Sequence, residues 1–177
     1  MIRRTFLAAL AVSSLLLATG ANAASPDNTL ILDTSKGKVT IELRPDLAPK
    51  HVAQIKALVA KHFYDGIIFH RVIQGFMAQT GDPTGTGMGG SDLPDIPAEF
   101  SKAHFGRGTV GMARAQDPNS ANSQFFIMFD DGSFLDGQYT VWGQVTAGMD
   151  VVDKINRGEP PAKPDKIVKA RLASDPN

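Results

Sequence analysis

The chain has 177 residues, one domain's worth, with 18 basic and 18 acidic side chains and no cysteine. The even charge balance leaves no basic stripe to neutralise phosphates, which argues against a nucleic-acid partner. Without cysteine there is no disulfide, no thiolate nucleophile and no lipidated cysteine, a composition that suits an oxidising compartment.

The first 23 residues read as a cleaved signal peptide, leaving a single domain of residues 24–177. Arg3 and Arg4 form a basic n-region, residues 6–18 an apolar h-region, and Ala21-Asn22-Ala23 a small-residue cleavage site. The apolar run is too short to span a bilayer comfortably, which favours a cleaved leader over an uncleaved anchor. Arg3-Arg4-Thr5-Phe6-Leu7 also resembles a twin-arginine signal. Ile2 stands where Ser or Thr is usual, so the export route stays open between the two. Cleavage removes both arginines and takes the formal net charge from 0 to −2. The remaining chain is long enough to bury a core without staples, and no membrane contact is expected of it.

Residues 29–34 and 38–43 read as strands joined by the turn Ser35-Lys36-Gly37, with Gly37 at positive φ. Pro49 fits the first turn of a helix. Val52, Ile55, Leu58 and Val59 then form one apolar stripe, ending near His62. Residues 69–73 and 76–80 form the next strand pair. Residues 81–97 hold five glycines and three prolines, which leaves no room for an element interior. Strands follow at 109–115, 124–129 and 140–145. Thr146 is the expected N-cap of a short helix whose apolar face is Met149, Val152 and Ile155. Residues 167–172 make a closing strand. Many short strands with two helices and little βαβ alternation argue an antiparallel barrel or sandwich.

The richest segment is Phe69-His70-Arg71-Val72-Ile73-Gln74-Gly75-Phe76-Met77-Ala78-Gln79-Thr80-Gly81-Asp82. Residues two apart on a strand share a face, so Met77 and Gln79 point one way, and Gln124 and Phe126 likewise. Phe125 and Ile127 then fill the interior, while Met77 and Phe126 look outward as an exposed binding patch beside Arg71 and Gln79. Such a patch suits a proline ring and the amide bond in front of it. The pattern alone fits equally well an ordinary core around a surface arginine.

Other motifs carry less. Gly85-Thr86-Gly87-Met88-Gly89-Gly90 fits G-x-G-x-x-G, but Pro94 and Pro97 leave no helix to follow it. His51, His62, His70 and His104 lack metal-ligand spacing, and Ser91, Ser120 and Ser123 lie in no nucleophile elbow. No metal or other cofactor is expected. Trp142, in an apolar strand, reads as core.

Three segments together resemble the cyclophilin family of peptidyl-prolyl isomerases. They are residues 69–82 as spelled out above, Gly111-Met112-Ala113-Arg114-Ala115, and Ser123-Gln124-Phe125-Phe126-Ile127. The similarity runs from about Thr29 to Leu172. It implies a closed eight-stranded antiparallel β-barrel capped by two α-helices, with the site on the outer face. Position by position, Arg71 matches the family's catalytic arginine, and Gln79 the glutamine that orients it and contacts the substrate backbone. Phe76, Met77, Phe126 and Leu135 match the walls of the proline pocket. Ala113, Arg114 and Gln124 match the groove that receives the residues before proline, through main-chain groups, so Arg114 where Asn is frequent adds only a local charge. Phe134 stands where many eukaryotic members have Trp and lacks the indole donor. Tyr139 replaces a pocket histidine but still offers a ring and a donor. The Phe134 departure implies a likeness to the bacterial, weakly cyclosporin-binding members, and the Tyr139 departure removes any role for an imidazole.

The implied activity is X–Pro isomerisation during folding of exported proteins in the periplasm, acting on unfolded or partly folded proline-containing polypeptides. A non-catalytic chaperone or proline-segment binding module using the same groove is the alternative of another class. A nucleotide-binding protein is a third and would need a helix after Gly90. No coiled coil or long exposed edge asks for a partner, so a monomer is expected.

Overall fold

A computed structural model describes residues 24–176; the signal segment inferred at residues 1–23 lies outside the described residues. The elements in chain order are β1 (Thr29–Thr34), β2 (Gly37–Leu43), α1 (Pro49–Ala60), β3 (Arg71–Ile73) and β4 (Met77–Thr80). Then come β5 (Thr109–Met112), β6 (Phe125–Met128), β7 (Val141–Ala147), α2 (Met149–Val152) and β8 (Ile167–Leu172). The eight strands form one sheet in the order β3-β4-β6-β5-β7-β2-β1-β8, every pair antiparallel.

The first hairpin forms as its alternation predicts. Leu30 and Leu32 face inward against Val39 and Ile41, all nearly fully buried, and Gly37 adopts φ 134° after the turn. Helix α1 starts at Pro49 and buries Val52, Ile55, Leu58 and Val59 against the sheet. It ends at Ala60, just short of the left-handed His62 at φ 54°. Its N-cap, Ala48, offers no side-chain oxygen. A remote group takes that place. The Glu99 carboxylate accepts from Lys50 N at 3.1 Å and His51 N at 3.0 Å, and bonds His51 Nδ1 at 2.7 Å. Free N–H groups and dipole at a helix start favour a carboxylate there. Burial holds the His51 imidazole below its usual value, although Glu99 pulls it upward. The contact ties the long 81–107 connection to the helix.

Three expectations need correction. The barrel is not closed: the sheet is an open half-barrel with β3 and β8 as its ends. Gly66 at φ 85° and His62 keep the approach to β3 in turns, so β3 has only three residues and makes no ladder with β8. The seam is instead drawn together by Phe69 N to Asp165 O (2.8 Å), Ile167 N to Ile67 O (2.9 Å) and one bridge at Ile68 and Lys166. The second helix is not capped by Thr146. β7 runs on through Ala147, Gly148 turns the chain at φ 91°, and α2 is a single turn. A Cβ at Gly148 would meet Lys38 O at 2.3 Å, so this close approach requires glycine. The strands at 109–115 and 124–129 are also shorter than their patterns suggested, ending at Met112 and beginning at Phe125.

The sheet separates two apolar clusters. The larger lies inside, with Trp142 fully buried among Phe125, Ile127, Ile41 and the α1 stripe. The smaller lies on the outer face and contains Met77, Phe105, Phe126, Met128, Leu135 and Val141.

Candidate active site

Register alone builds the outer row of the site. Arg71 on β3 lies opposite Gln79 on β4, Gln79 opposite Phe126 on β6, and Phe126 opposite Gly111 on β5. Residues directly opposite in an antiparallel sheet share a face, so the cation, the amide and the ring fall in line across four strands. Gly111 completes the row by having no side chain. A Cβ there would lie 2.5 Å from both Phe105 Cε1 and Phe126 Cζ, whose rings stack at 5.8 Å. Pattern reading passed over Gly111, although a glycine inside a strand is a signal of close approach.

The expectation of an exposed Met77 and Phe126 is corrected. Both point to the outer face, yet they are only 1% and 5% exposed. Phe105, Leu135 and Val141, from distant segments, cover them. What remains open is a hollow of about 440 Å³ lined by Phe76, Met77, Phe126, Phe134, Leu135 and Tyr139, with Arg71 and Gln79 among its polar residues. Phe134 is 62% exposed and leans on Phe76 at 5.4 Å between centroids.

A second hollow of about 360 Å³ adjoins the first and is lined by Ala113, Arg114, Gln124 and the 87–90 loop. The eleven residues singled out from the sequence thus line these two adjoining hollows. Arg114 is folded onto the wall between them. Its Cζ lies 4.5 Å from the Tyr139 centroid, and it donates to the carbonyls of Ala115, Gln116 and Gln138. Its charge is therefore held by the protein and braces Tyr139.

One hydrogen-bonded chain runs through the site. Arg71 Nη1 is 3.5 Å from Gln79 Oε1, Gln79 Nε2 donates to Gln124 Oε1 at 2.9 Å, and Gln124 Nε2 donates to the carbonyls of Gly87 and Gly89. Asp82 shapes the glycine loop from beneath by accepting from Thr84 N, Thr86 N and Gly87 N. Burial pushes the Asp82 carboxyl up, but the Thr84 hydroxyl and the amides of Thr84, Gly89 and Gly87 outweigh it and bring it down to about 2. The glycines of the G-x-G-x-x-G run thus serve a turn around one carboxylate. The shortest contact to Arg71 was not foreseen: its Nε donates to Glu159 Oε1 at 2.7 Å.

The Phe134–Leu135 wall has its own support. His104 Nε2 is 2.9 Å from Asp131 Oδ1, and Nδ1 is 2.9 Å from Asp136 Oδ2. Asp136 also accepts from Phe105 N at 2.8 Å. The hydrogen bond to Asp136 raises the His104 imidazole above its usual value, and the same bond lowers the Asp136 carboxyl. A raised histidine stabilises the fold fully below the unfolded value of about 6.5, and this is lost as pH rises through the folded value. A lowered carboxylate stabilises above its unfolded value and fails as pH falls through its folded one. The thermal midpoint difference between wild type and His104→Ala is therefore expected to be largest between these limits. It should shrink as pH rises through the raised folded value of His104. A difference constant from mildly acidic to alkaline pH would show that the charged bridge does not hold this wall.

Among the described residues, no group of three or more His, Cys, Asp or Glu could hold a metal ion. What the arrangement offers is an apolar hollow for a small ring, with a fixed cation and an amide beside it.

Comparison with known proteins gives the family. Residues 29–172 match the family model described as cyclophilin type peptidyl-prolyl cis-trans isomerase/CLD. A curated "Probable peptidyl-prolyl cis-trans isomerase" of Brucella suis biovar 1 is 60% identical over 171 residues, covering 88% of this chain and 87% of the relative. The isomerase ppi1 of Schizosaccharomyces pombe is 41% identical over 148 residues, 78% of this chain and 95% of that one. Among solved structures, the cyclophilin AquaCyp293 of Hirschia baltica superposes with a TM-score of 0.81 at 35% identity, covering 87% of this chain and 77% of its own. A cyclophilin type isomerase of Cryptosporidium parvum, crystallised in the presence of the dipeptide Ala-Pro, gives 0.77 at 30% identity, covering 83% and 99%. The chain belongs to the cyclophilin-type peptidyl-prolyl cis-trans isomerases.

Proposed function

We propose that this isomerase is exported to the periplasm and accelerates X–Pro isomerisation in unfolded or partly folded secreted chains, with Arg71 as the catalytic cation. The observation that carries the reading is Arg71 on the rim of a ring-sized apolar hollow walled by Phe76, Met77, Phe126 and Leu135. An X–Pro bond crosses a barrier of about 20 kcal/mol, the lost resonance of the amide, in tens to hundreds of seconds. No covalent bond forms and no proton has to leave the substrate. The protein has to hold the ring and stabilise the twisted amide, whose nitrogen regains a lone pair. A guanidinium aimed at that nitrogen bonds the twisted state better than the planar one, which is differential binding. Gln79 orients the guanidinium and meets the substrate backbone, and the hollow along Ala113, Arg114 and Gln124 takes the residues before proline. The Ala-Pro dipeptide used with the Cryptosporidium parvum protein supports a proline-containing ligand for this chain too. The leader-like pattern of residues 1–23 and the absence of cysteine support export.

Two measurements test this. Wild type should accelerate cis-to-trans isomerisation of a short X–Pro peptide. A well-folded protein that binds the peptide without acceleration would favour the holding module instead. In fractionated cells expressing the full chain, the mature protein should start near Ala24 and sit in the periplasmic fraction. An intact leader with the protein in the cytoplasm would reject the export reading.

A further inference from the structure

Arg71 has two tethers of unequal quality. The contact from Nη1 to Gln79 Oε1 is 3.5 Å, at the limit of a hydrogen bond, whereas that from Nε to Glu159 Oε1 is 2.7 Å and charge-assisted. We propose that Glu159 is the main positioning residue of the Arg71 guanidinium, fixing Nε and thereby the plane of the whole fork, with Gln79 as the weaker second tether.

The segment carrying Glu159 is built to stay beside β3. Gly158 N donates to Val72 O at 2.9 Å, and Val72 N donates back to Gly158 O at 2.8 Å. Val72 directly follows Arg71, so this two-bond bridge sets Glu159 beside its partner. Gly158 adopts φ 145°, and a Cβ there would lie 2.5 Å from Pro161 Cα, so only glycine makes the bend. Arg157 anchors the other side, with Nε donating to Gln74 Oε1 at 2.8 Å and its Cζ 4.1 Å from the Phe129 centroid. Three consecutive residues thus each hold a different point on or near the β3–β4 hairpin.

Glu159 lines neither the ring-sized hollow nor the groove before it. It lies in a third hollow of about 390 Å³ on the flank of Arg71 and Gln79, with Pro160 and Gly85 to Gly87. It acts on the reaction only through Arg71. The pair is half exposed, 42% for Arg71 and 53% for Glu159, so it adds little to folding. Its effect is orientation. A guanidinium has five N–H donors in one plane, and fixing Nε leaves the two Nη groups as the free end of the fork. Among the described residues Nη2 has no protein partner and is the group left to face a substrate.

The inference rests on Arg71 being the reacting cation, and the experiment separates the two. Isomerisation of an uncharged X–Pro peptide is measured for wild type, Arg71→Ala, Glu159→Ala and Glu159→Gln, with thermal midpoints alongside. Glu159→Ala is expected to lower kcat about fivefold with KM and midpoint unchanged, the scale of one exposed ion pair. Glu159→Gln keeps an oxygen that accepts from Nε and should recover most of that loss, which a merely structural role would not predict. In ¹⁵N spectra, the Arg71 Nε–H resonance should be sharp and shifted downfield in wild type and collapse toward free arginine in Glu159→Ala. If Arg71→Ala is inactive while Glu159→Ala keeps wild-type kcat, the tether is wrong and the role of Arg71 stands. If Arg71→Ala keeps its activity, the reading of Arg71 falls and the tether with it.

Discussion

Arg71→Ala is expected to lower kcat/KM for X–Pro isomerisation by about 10² to 10³, the scale of removing one pre-aimed donor from a developing charge. The reason is that the proposed mechanism has few parts. Raising a rate of about 10⁻² s⁻¹ to about 10³ s⁻¹ needs roughly 7 kcal/mol. That mechanism gives no nucleophile or acid a share of the stabilisation, so it assigns several of these to the guanidinium and part of the rest to the apolar hollow. The loss should fall on kcat, because the substitution leaves in place the apolar walls Phe76, Met77, Phe126 and Leu135 of the hollow proposed to take the ring. The fold should survive, since the ion pair to Glu159 is half exposed on both sides and such pairs contribute about 0.2–1 kcal/mol. Arg71→Lys sharpens the test. It keeps the charge and loses the planar fork, so it should recover only part of the loss. Full activity in Arg71→Ala, with an unchanged thermal midpoint, would remove the guanidinium from the mechanism.

Local periodicity made part of this structure legible. The α1 stripe and the first hairpin need nothing beyond side-chain spacing, and both formed as read. The faces of β4 and β6 were legible for the same reason: Phe125 and Ile127 enter the inner cluster, Met77 and Phe126 the outer one. Exposure was not legible, because it depends on what arrives from elsewhere. Phe105 and Leu135 come from loops whose paths no spacing reveals, and they turned an apparent surface patch into a covered wall. Two carboxylate contacts are remote in the same sense. Glu99 accepts from Lys50 N in the first turn of α1 across 49 residues, and Glu159 meets Arg71 across 88 residues. Neither leaves a local signature. Closure of the barrel failed for a related reason: the family resemblance implied it, but the seam depends on a three-residue β3 and on Gly66 and His62 before it.

Phe125 and Phe126, adjacent in sequence and opposed in space, allow stability and binding to be separated. Phe125 is 1% exposed and meets Tyr64 and Trp142 edge-on at 5.5 Å and 5.3 Å. Phe126 stacks on Phe105 and meets the Tyr139 ring at 6.0 Å. Deleting a buried phenyl ring costs about 3–5 kcal/mol in either cluster. Phe126→Ala should lie at the lower end, because its cavity opens into the substrate hollow and water can enter it. Denaturant midpoints should therefore fall for both variants, more for Phe125→Ala. Substrate binding should divide them. Phe126→Ala removes a wall of the hollow and Tyr139's packing partner, so KM should rise about tenfold or more, the scale of one lost apolar contact surface in a specificity pocket. Phe125→Ala, measured where it remains folded, should keep a near wild-type KM, since its ring lies behind the sheet. An equal rise in KM for the two would mean that the hollow is held by the inner core as a whole. The outer row of Arg71, Gln79, Phe126 and Gly111 would then be a consequence of register with no binding role of its own.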